Sequence, residues 1–159
     1  MPAARIPKTN AVRLLEGLGI QFSLHHVEVD EEDLSAVSMA RKLDAEPERV
    51  FKTLVARGDK NGVLMACIPA ASELDLKALA AASGNKHAEM VPLKEVRPLT
   101  GYIRGGCSPI GMKKQFVTVL DESCLPLDTI VFSAGKIGMQ IEMDPRALID
   151  FIGAKTAAI

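Results

Sequence analysis

The sequence predicts a mixed α/β fold, with a curved mixed sheet and helices packed around it. Three observations lead there. Short apolar and β-branched runs at 51–57, 63–68, 116–120, 129–132 and 139–143 concentrate in the middle and end of the chain. Helical segments lie among them without a regular βαβ alternation. The 159 residues, 48% of them hydrophobic, suit a single domain spanning 1–159 with its own core.

Each element has a local reason. A helix is expected over 10–18, because Thr9 is a good N-cap, Gly19 a good stop, and Val12, Leu15 and Leu18 recur at helical spacing. A strand follows over 22–29, its alternation disturbed at His25-His26, which suggests a bulge. A second helix covers 36–43, and Pro47 opens a short turn of helix. The runs 51–57 and 63–68 form a hairpin around Asp59-Lys-Asn-Gly62. Ser72-Glu-Leu-Asp75 fits a capping box for a helix that ends near Ser83 and stops at Gly84. Strands at 116–120 and 129–132 lead to a tight glycine turn over 133–138 and a strand over 139–143. The last helix has Asp144 as N-cap, Pro145 at its first position and Gly153 as its stop.

Composition narrows the function. The net charge of −1 argues against broad, sequence-independent coating of nucleic acid, DNA included, yet allows a local basic grip. Aromatic residues are 4% of the chain, so any RNA contact rests on few rings, such as Phe51 and Tyr102, plus backbone groups. Cys67, Cys107 and Cys124 are odd in number and form no CxxC pair. No apolar run approaches the roughly 18 residues of a membrane span, and Met1 to Lys8 lacks a signal core. A reducing, cytoplasmic setting without a membrane partner is expected.

Two segments carry the chemistry. In Val50-Phe-Lys-Thr-Leu-Val55, Lys52 shares a strand face with Leu54, and Phe51, Thr53 and Val55 take the other. Lysine is depleted in strands. Lys52 either snorkels to solvent or aims a cation into a pocket toward a phosphate or ribose. The second segment is Gly101-Tyr-Ile-Arg-Gly-Gly-Cys-Ser-Pro-Ile-Gly111, with four glycines and a proline in eleven residues. It reads as an ordinary loop or as a constrained one whose N–H groups form an anion nest or an oxyanion hole, worth on the order of 3 kcal/mol per donor.

Other signals are weaker. Ser133-Ala-Gly-Lys-Ile-Gly138 lacks the GxxxxGK[ST] spacing and reads first as a hairpin turn. Cys107 has no histidine implied as its base and reads as a small packing residue. His25 and His26 point to opposite strand faces, His87 is distant in sequence, and no metal spacing or triad spacing exists. Asp30-Glu-Glu-Asp33 reads as a solvated acidic turn.

Taken together, Val50-Phe-Lys-Thr-Leu54, Glu73-Leu-Asp-Leu-Lys77, Thr100-Gly-Tyr-Ile-Arg-Gly-Gly-Cys-Ser-Pro-Ile-Gly111 and Ser133-Ala-Gly-Lys-Ile-Gly138 resemble the YbaK family of aminoacyl-tRNA deacylases. That family includes free-standing Cys-tRNA(Pro) deacylases and the editing domain inserted in bacterial prolyl-tRNA synthetases. The resemblance runs from about Asn10 to Ile152 and implies a mixed α/β fold with a barrel-like curved sheet, and a pocket for the 3′-terminal adenosine and its aminoacyl ester. It implies that Lys52 orients the terminal phosphate or ribose and that Gly105 and Gly106 present backbone groups to the reacting ester. Thr53, Gly101, Tyr102, Ser108, Pro109, Gly111, Ser133, Gly135 and Gln140 would bind substrate. No metal or cofactor is implied. Water attacks in some members; in others the substrate's own cysteine thiol does. An activated ester needs little more than positioning and oxyanion stabilisation.

Three positions depart from the Cys-tRNA(Pro) deacylase pattern. Val27 stands where those relatives have tyrosine, Gln140 where they have aspartate, and Ala134 where they have glycine. The departures bear on which amino acid is removed, not on the fold. The expected activity is trans-editing of Cys-tRNA(Pro). The alternatives are the same reaction on another tRNA such as Ala-tRNA(Pro), or a non-catalytic module that holds a tRNA end or nucleotide. A partner such as prolyl-tRNA synthetase is the expected source of tRNA selectivity.

Overall fold

A computed structural model describes residues 8–28, 35–103, 105–112 and 114–159. The expected acidic turn at 30–33, the extreme N-terminus, Val29 and Arg104 lie outside the described residues.

The chain opens with α1 (Asn10–Gly17), where Thr9 Oγ1 accepts from the Val12 N–H and Gly19 adopts a left-handed conformation just past the end. Strand β1 (Ser23–His26) pairs in unbroken antiparallel register with β7 (Met139–Met143). The expected bulge at His25-His26 is therefore absent. Both histidines obey the alternation because His25 reaches Glu142 across the sheet while His26 stands in solvent. The irregularity sits instead in β6 (Ile130–Lys136), between Ser133 and Lys136. Much of the expected glycine turn is thus bulged strand.

Helix α2 (Ala36–Lys42) starts at the Ser35 cap. The segment at Pro47 is a hydrogen-bonded turn rather than helix, closed by the Val50 N–H on the Pro47 carbonyl. Strands β2 (Phe51–Gly58) and β3 (Gly62–Pro69) form the expected hairpin. Helix α3 (Leu76–Ser83) is capped by Asp75, whose Oδ1 accepts from the Ala78 N–H at 3.0 Å. The cap thus lies three residues beyond the Ser72 that the box pattern suggested. Aspartate is itself a strong N-cap, and Gly84 closes the helix in left-handed conformation as read.

The remaining elements are β4 (Ala88–Met90), α4 (Leu93–Thr100), β5 (Val117–Asp121), a short 3₁₀ turn Glu122–Cys124, α5 (Pro145–Ile152) and β8 (Lys155–Ala157). Asp144 caps α5 and Gly153 ends it.

The strands make two sheets, one of order β1-β7-β6 and one of order β4-β2-β3-β5-β8. The larger is mixed: β4, β2 and β3 are antiparallel neighbours, whereas β3–β5 and β5–β8 are parallel. The two sheets meet at a single parallel bridge between Val50 and Val131, where the Val131 N–H donates to the Arg49 carbonyl at 2.9 Å. Among the described residues, hydrogen bonding does not close the strands into a ring. β2 and β6 touch at this seam and do not pair beyond it.

The main core lies between the sheets, α1 and α5, and includes Leu15, Phe51, Leu120, Phe132, Ile141 and Leu148. On the other face of the larger sheet, α3 packs Leu79 against Ala56, Leu64, Ile68 and Val119. A third cluster, with Val55, Met65, Val91, Val96 and Cys107, sits beneath the glycine loop. No described helix is long and apolar enough to cross a membrane.

Candidate active site

A cleft of about 750 Å³ opens where β2 and β6 part beyond the Val50–Val131 seam. Lys52, Thr53, Gly105, Ser133 and Gln140, five of the residues singled out from the sequence, line it together. They come from β2, the glycine loop, β6 and β7, far apart in the chain.

The β2 faces are as the alternation predicts. Leu54 packs toward the α3 cluster, while Phe51 and Val55 pack into the clusters on the opposite side. Residues of both faces line the cleft because the strand's own edge is open there; β4 pairs only with Ala56, Arg57 and Gly58. Lys52 is half-buried and has no hydrogen bond or ion pair among the described residues. Removing an ammonium from water is costly unless something compensates its charge. A partly desolvated, unpaired lysine on a cleft wall is a receptor for an incoming anion or hydroxyl.

Thr53 is half-buried, and its hydroxyl lies 3.6 Å from Cys67 Sγ on β3. Burial pushes the Cys67 thiol up to about 12, so it is a packing group. Gln140 is 4% exposed, and no described residue hydrogen-bonds its side-chain amide. No fully enclosed side-chain polar atom among the described residues lacks a partner, so the Gln140 amide opens on the cleft, where water or a ligand meets it. Ser133 faces Gln140 across the β6–β7 ladder, and its Oγ accepts from the Gly135 N–H at 3.1 Å.

The glycine loop divides between lining and support. Gly105, with φ +81, is exposed and borders the cleft. The Gly106 N–H donates to the Ile103 carbonyl at 3.0 Å, so that amide is committed to the turn. Ser108 is fully buried, its Oγ accepting from the Ile110 N–H, and Pro109 is buried beside it. The Tyr102 hydroxyl donates to the Ile110 carbonyl at 2.7 Å, tying the loop's start to its end. Its ring lies against Gly135, where an added Cβ would stand 2.7 Å from Cε1, and its hydroxyl crowds Gly111 the same way at 2.8 Å. Burial raises the Tyr102 phenol to about 12, keeping it a neutral donor. Gly101 ends α4 in left-handed conformation. Gly101, Tyr102, Gly106, Ser108, Pro109, Gly111 and Gly135 thus stand outside the lining and fix the shape of the residues that form it.

Cys107 lines the cleft, but burial raises its thiol, and its neighbour is the Thr100 hydroxyl at 3.9 Å rather than a base. Among the described residues no cluster of His, Cys, Asp and Glu could hold a metal ion. The sequence reading missed the apolar wall of the cleft, formed by Met39, Met90, Val91, Leu93 and Val96. Three of these come from β4, which is too short to show an alternation, and α4, whose Leu93, Val96 and Leu99 spacing is interrupted by Pro98.

Residues 30–151 match the aminoacyl-tRNA editing domain family. The chain belongs to that family. It is 50% identical over 152 residues, covering 96% of this chain and 93% of its relative, to the Enterococcus faecalis protein EbsC, named for deacylation of Cys-tRNA(Pro) and Cys-tRNA(Cys). A solved structure described as a trans-editing enzyme for prolyl-tRNA synthetase superposes with a TM-score of 0.82 at 25% identity, covering 96% of this chain and 98% of its own. The hypothetical protein APE2540 superposes at TM-score 0.85 and 23% identity, over 94% and 97% of the two chains, and shares the fold. This editing-domain chain is an aminoacyl-tRNA deacylase. The alanine at position 134 fits here because its methyl is fully buried in the main core beside Phe132 and Ile141. Val27 extends the β1 edge, its N–H donating to the Gly138 carbonyl at 2.8 Å.

Proposed function

We propose that this editing deacylase acts in trans on Cys-tRNA(Pro), without a protein nucleophile. The observation that carries the reading is Lys52, unpaired among the described residues, on a cleft whose described lining holds no nucleophile–base pair. The only thiol lining it, Cys107, is held protonated by burial. The cleft volume of about 750 Å³ lies in the range of small-molecule pockets, 300–1,000 Å³, and suits one nucleoside with its amino acid.

Lys52 orients the terminal phosphate or ribose. The Gly105 N–H supports the developing oxyanion, and Gly106 holds Gly105 in place through its bond to Ile103. Ser133 and the Gln140 amide meet the amino acid, with the Gln140 carbonyl accepting from the α-ammonium. Thr53, Gly101, Tyr102, Ser108, Pro109, Gly111 and Gly135 complete and shape the binding wall. Attack comes from water or from the substrate's own thiol, at a carbonyl already activated as an ester. A cytoplasmic setting and selection of the tRNA by prolyl-tRNA synthetase fit this reading.

The test is deacylation of a panel of mischarged tRNAs that includes Cys-tRNA(Pro) and Ala-tRNA(Pro). Fastest turnover of Cys-tRNA(Pro) is expected. A preference for Ala-tRNA(Pro) would reassign the amino acid, and absence of turnover across the panel with binding retained would overturn the reading.

A further inference from the structure

Main-chain parity along β2 turns Thr53 toward an edge where no ladder among the described residues pairs it. The Val50 carbonyl accepts from the Ala70 N–H, next to β3. In an extended strand the even positions 50, 52, 54 and 56 therefore turn their N–H and C=O groups toward β3, and the odd positions turn theirs the other way. On that outward edge the Arg49 carbonyl is taken by Val131 of β6, and the Val55 carbonyl by the Val91 N–H. Thr53 lies between these two anchors. β6 has parted from β2 by then, and β4 has not yet begun to pair. No ladder among the described residues pairs Thr53 with either strand, and the Thr53 hydroxyl is already turned to Cys67.

More than about nine in ten buried main-chain polar groups in folded proteins are paired. A gap in the ladder on the cleft wall is thus a place where a ligand, displacing water, completes the pairing. Building on the editing function proposed above, we infer that the main chain of Thr53 binds the aminoacyl group of the substrate as if that group were one residue of a strand. The chemistry matches. In an aminoacyl ester an ammonium and a carbonyl flank a single Cα, as the N–H and C=O of a residue do. The ammonium donates to the Thr53 carbonyl, and the Thr53 N–H donates to the ester carbonyl, reproducing the paired bonds of an antiparallel bridge. The second bond strengthens as negative charge builds on that oxygen during attack.

The arrangement also accounts for Gln140. With the Thr53 carbonyl and the Gln140 amide both accepting from the α-ammonium, no carboxylate is needed at position 140. Recognition through the main chain requires a free α-amino group and is largely indifferent to the side chain beyond it. The substrate class is therefore unblocked aminoacyl esters, with N-acylated ones excluded.

The experiment uses the full chain labelled with ¹⁵N and two stable probes, 3′-deoxy-3′-(L-cysteinylamino)adenosine and its N-acetyl form. Saturation with the first is expected to slow amide exchange at Thr53 at least tenfold, and the N-acetyl form is expected to bind at least tenfold more weakly. A backbone ester replacing the amide at position 53 keeps the side chain and removes only the N–H. It is expected to lower kcat/KM for Cys-tRNA(Pro) at least tenfold while the melting temperature stays close to that of the parent. Probe binding with unchanged Thr53 exchange, or equal affinity for the N-acetyl form, overturns the inference while deacylation by the parent protein leaves the editing function standing. Failure of the parent to bind the probe overturns the inference, and failure to turn over any aminoacyl-tRNA as well overturns both.

Discussion

At the scale of single residues, Lys52 and Cys107 make opposite predictions from the same cleft. The Lys52 side chain makes no hydrogen bond or ion pair among the described residues, so Lys52→Ala should change stability by no more than about 0.5 kcal/mol, as for a substitution that removes no cap, core contact or partner. Its cation is the only lysine among the described residues of the lining, and its loss is expected to reduce deacylation at least a hundredfold. Single-turnover rates read beside denaturation curves check both halves, and unchanged rates would reject the site. Cys107 is nearly the reverse. Its buried thiol packs with Val55, Met65, Val91 and Val96 and is held protonated. Cys107→Ala should cost about 1 kcal/mol of packing yet keep deacylation within a few-fold of the parent. Complete loss of activity in a folded Cys107→Ala protein would show that a nucleophile had been overlooked. The sequence distinguished these two residues because a charged side chain inside an apolar strand is locally anomalous, whereas a cysteine in a glycine loop is not. The cleft-facing Gln140 amide was visible in the sequence only through its position in the family pattern.

At the scale of elements, the bulged end of β6 and the glycine loop hold each other in place. Gly135 has φ +101, and a Cβ there would meet the Tyr102 ring at 2.7 Å. Gly135→Ala is therefore expected to destabilise by more than about 1 kcal/mol, since both backbone strain and the clash oppose it. Tyr102→Ala removes the clash but not the strain, so the double variant should recover part of the loss. Urea unfolding of the four proteins gives the coupling, expected at about 0.5–3 kcal/mol for contacting residues, and strict additivity would mean the ring does not press on that turn. The same scale explains which elements could be read from the sequence. Helices α1, α3 and α5 announce themselves by a capping side chain at one end and a glycine at the other. Helix α4 has Pro92 at its start and Pro98 inside, so its local signal argues against it, and it persists because Val96 and Leu99 pack beneath the glycine loop. Strands β4 and β8 are three residues each, too short for an alternation to show. The cleft was the least legible feature. It arises where β2 and β6 separate, and no local pattern encodes the point at which two distant strands stop pairing.

At the scale of the whole molecule, the separation of the sheets makes the site, so whatever fixes the seam fixes the geometry of the cleft. Besides the Val50–Val131 bridge, the seam is held by Arg49, whose guanidinium reaches the Asp128 carboxylate and the Thr129 carbonyl. Thr129 in turn donates to Glu142 Oε2 at 2.5 Å, and Glu142 Oε1 meets His25 Nε2 at 2.8 Å. This chain of contacts runs from the start of β2 through β6 and β7 to β1, and Glu142 is its hub. The Thr129 hydroxyl, followed by the His25 hydrogen bond and the His25 and Arg49 charges, outweighs burial and holds the Glu142 carboxyl below its ordinary range. A carboxylate with a lowered folded-state value stabilises the fold fully above its unfolded value, and the contribution fades as pH falls through the folded one. Glu142→Gln keeps the shape of the side chain and removes the charge. The variant should be less stable than the parent at pH 7 by about 1 kcal/mol, the low end for hydrogen bonds to a charged group given partial exposure. The deficit should shrink steadily below the ordinary carboxylate range, because the parent then loses the same ionised hub. Urea midpoints for both proteins between pH 3 and pH 7 read this directly. A deficit that stayed constant across that range would mean Glu142 braces the seam by shape alone and its charge contributes nothing to holding the two sheets at the mouth of the cleft.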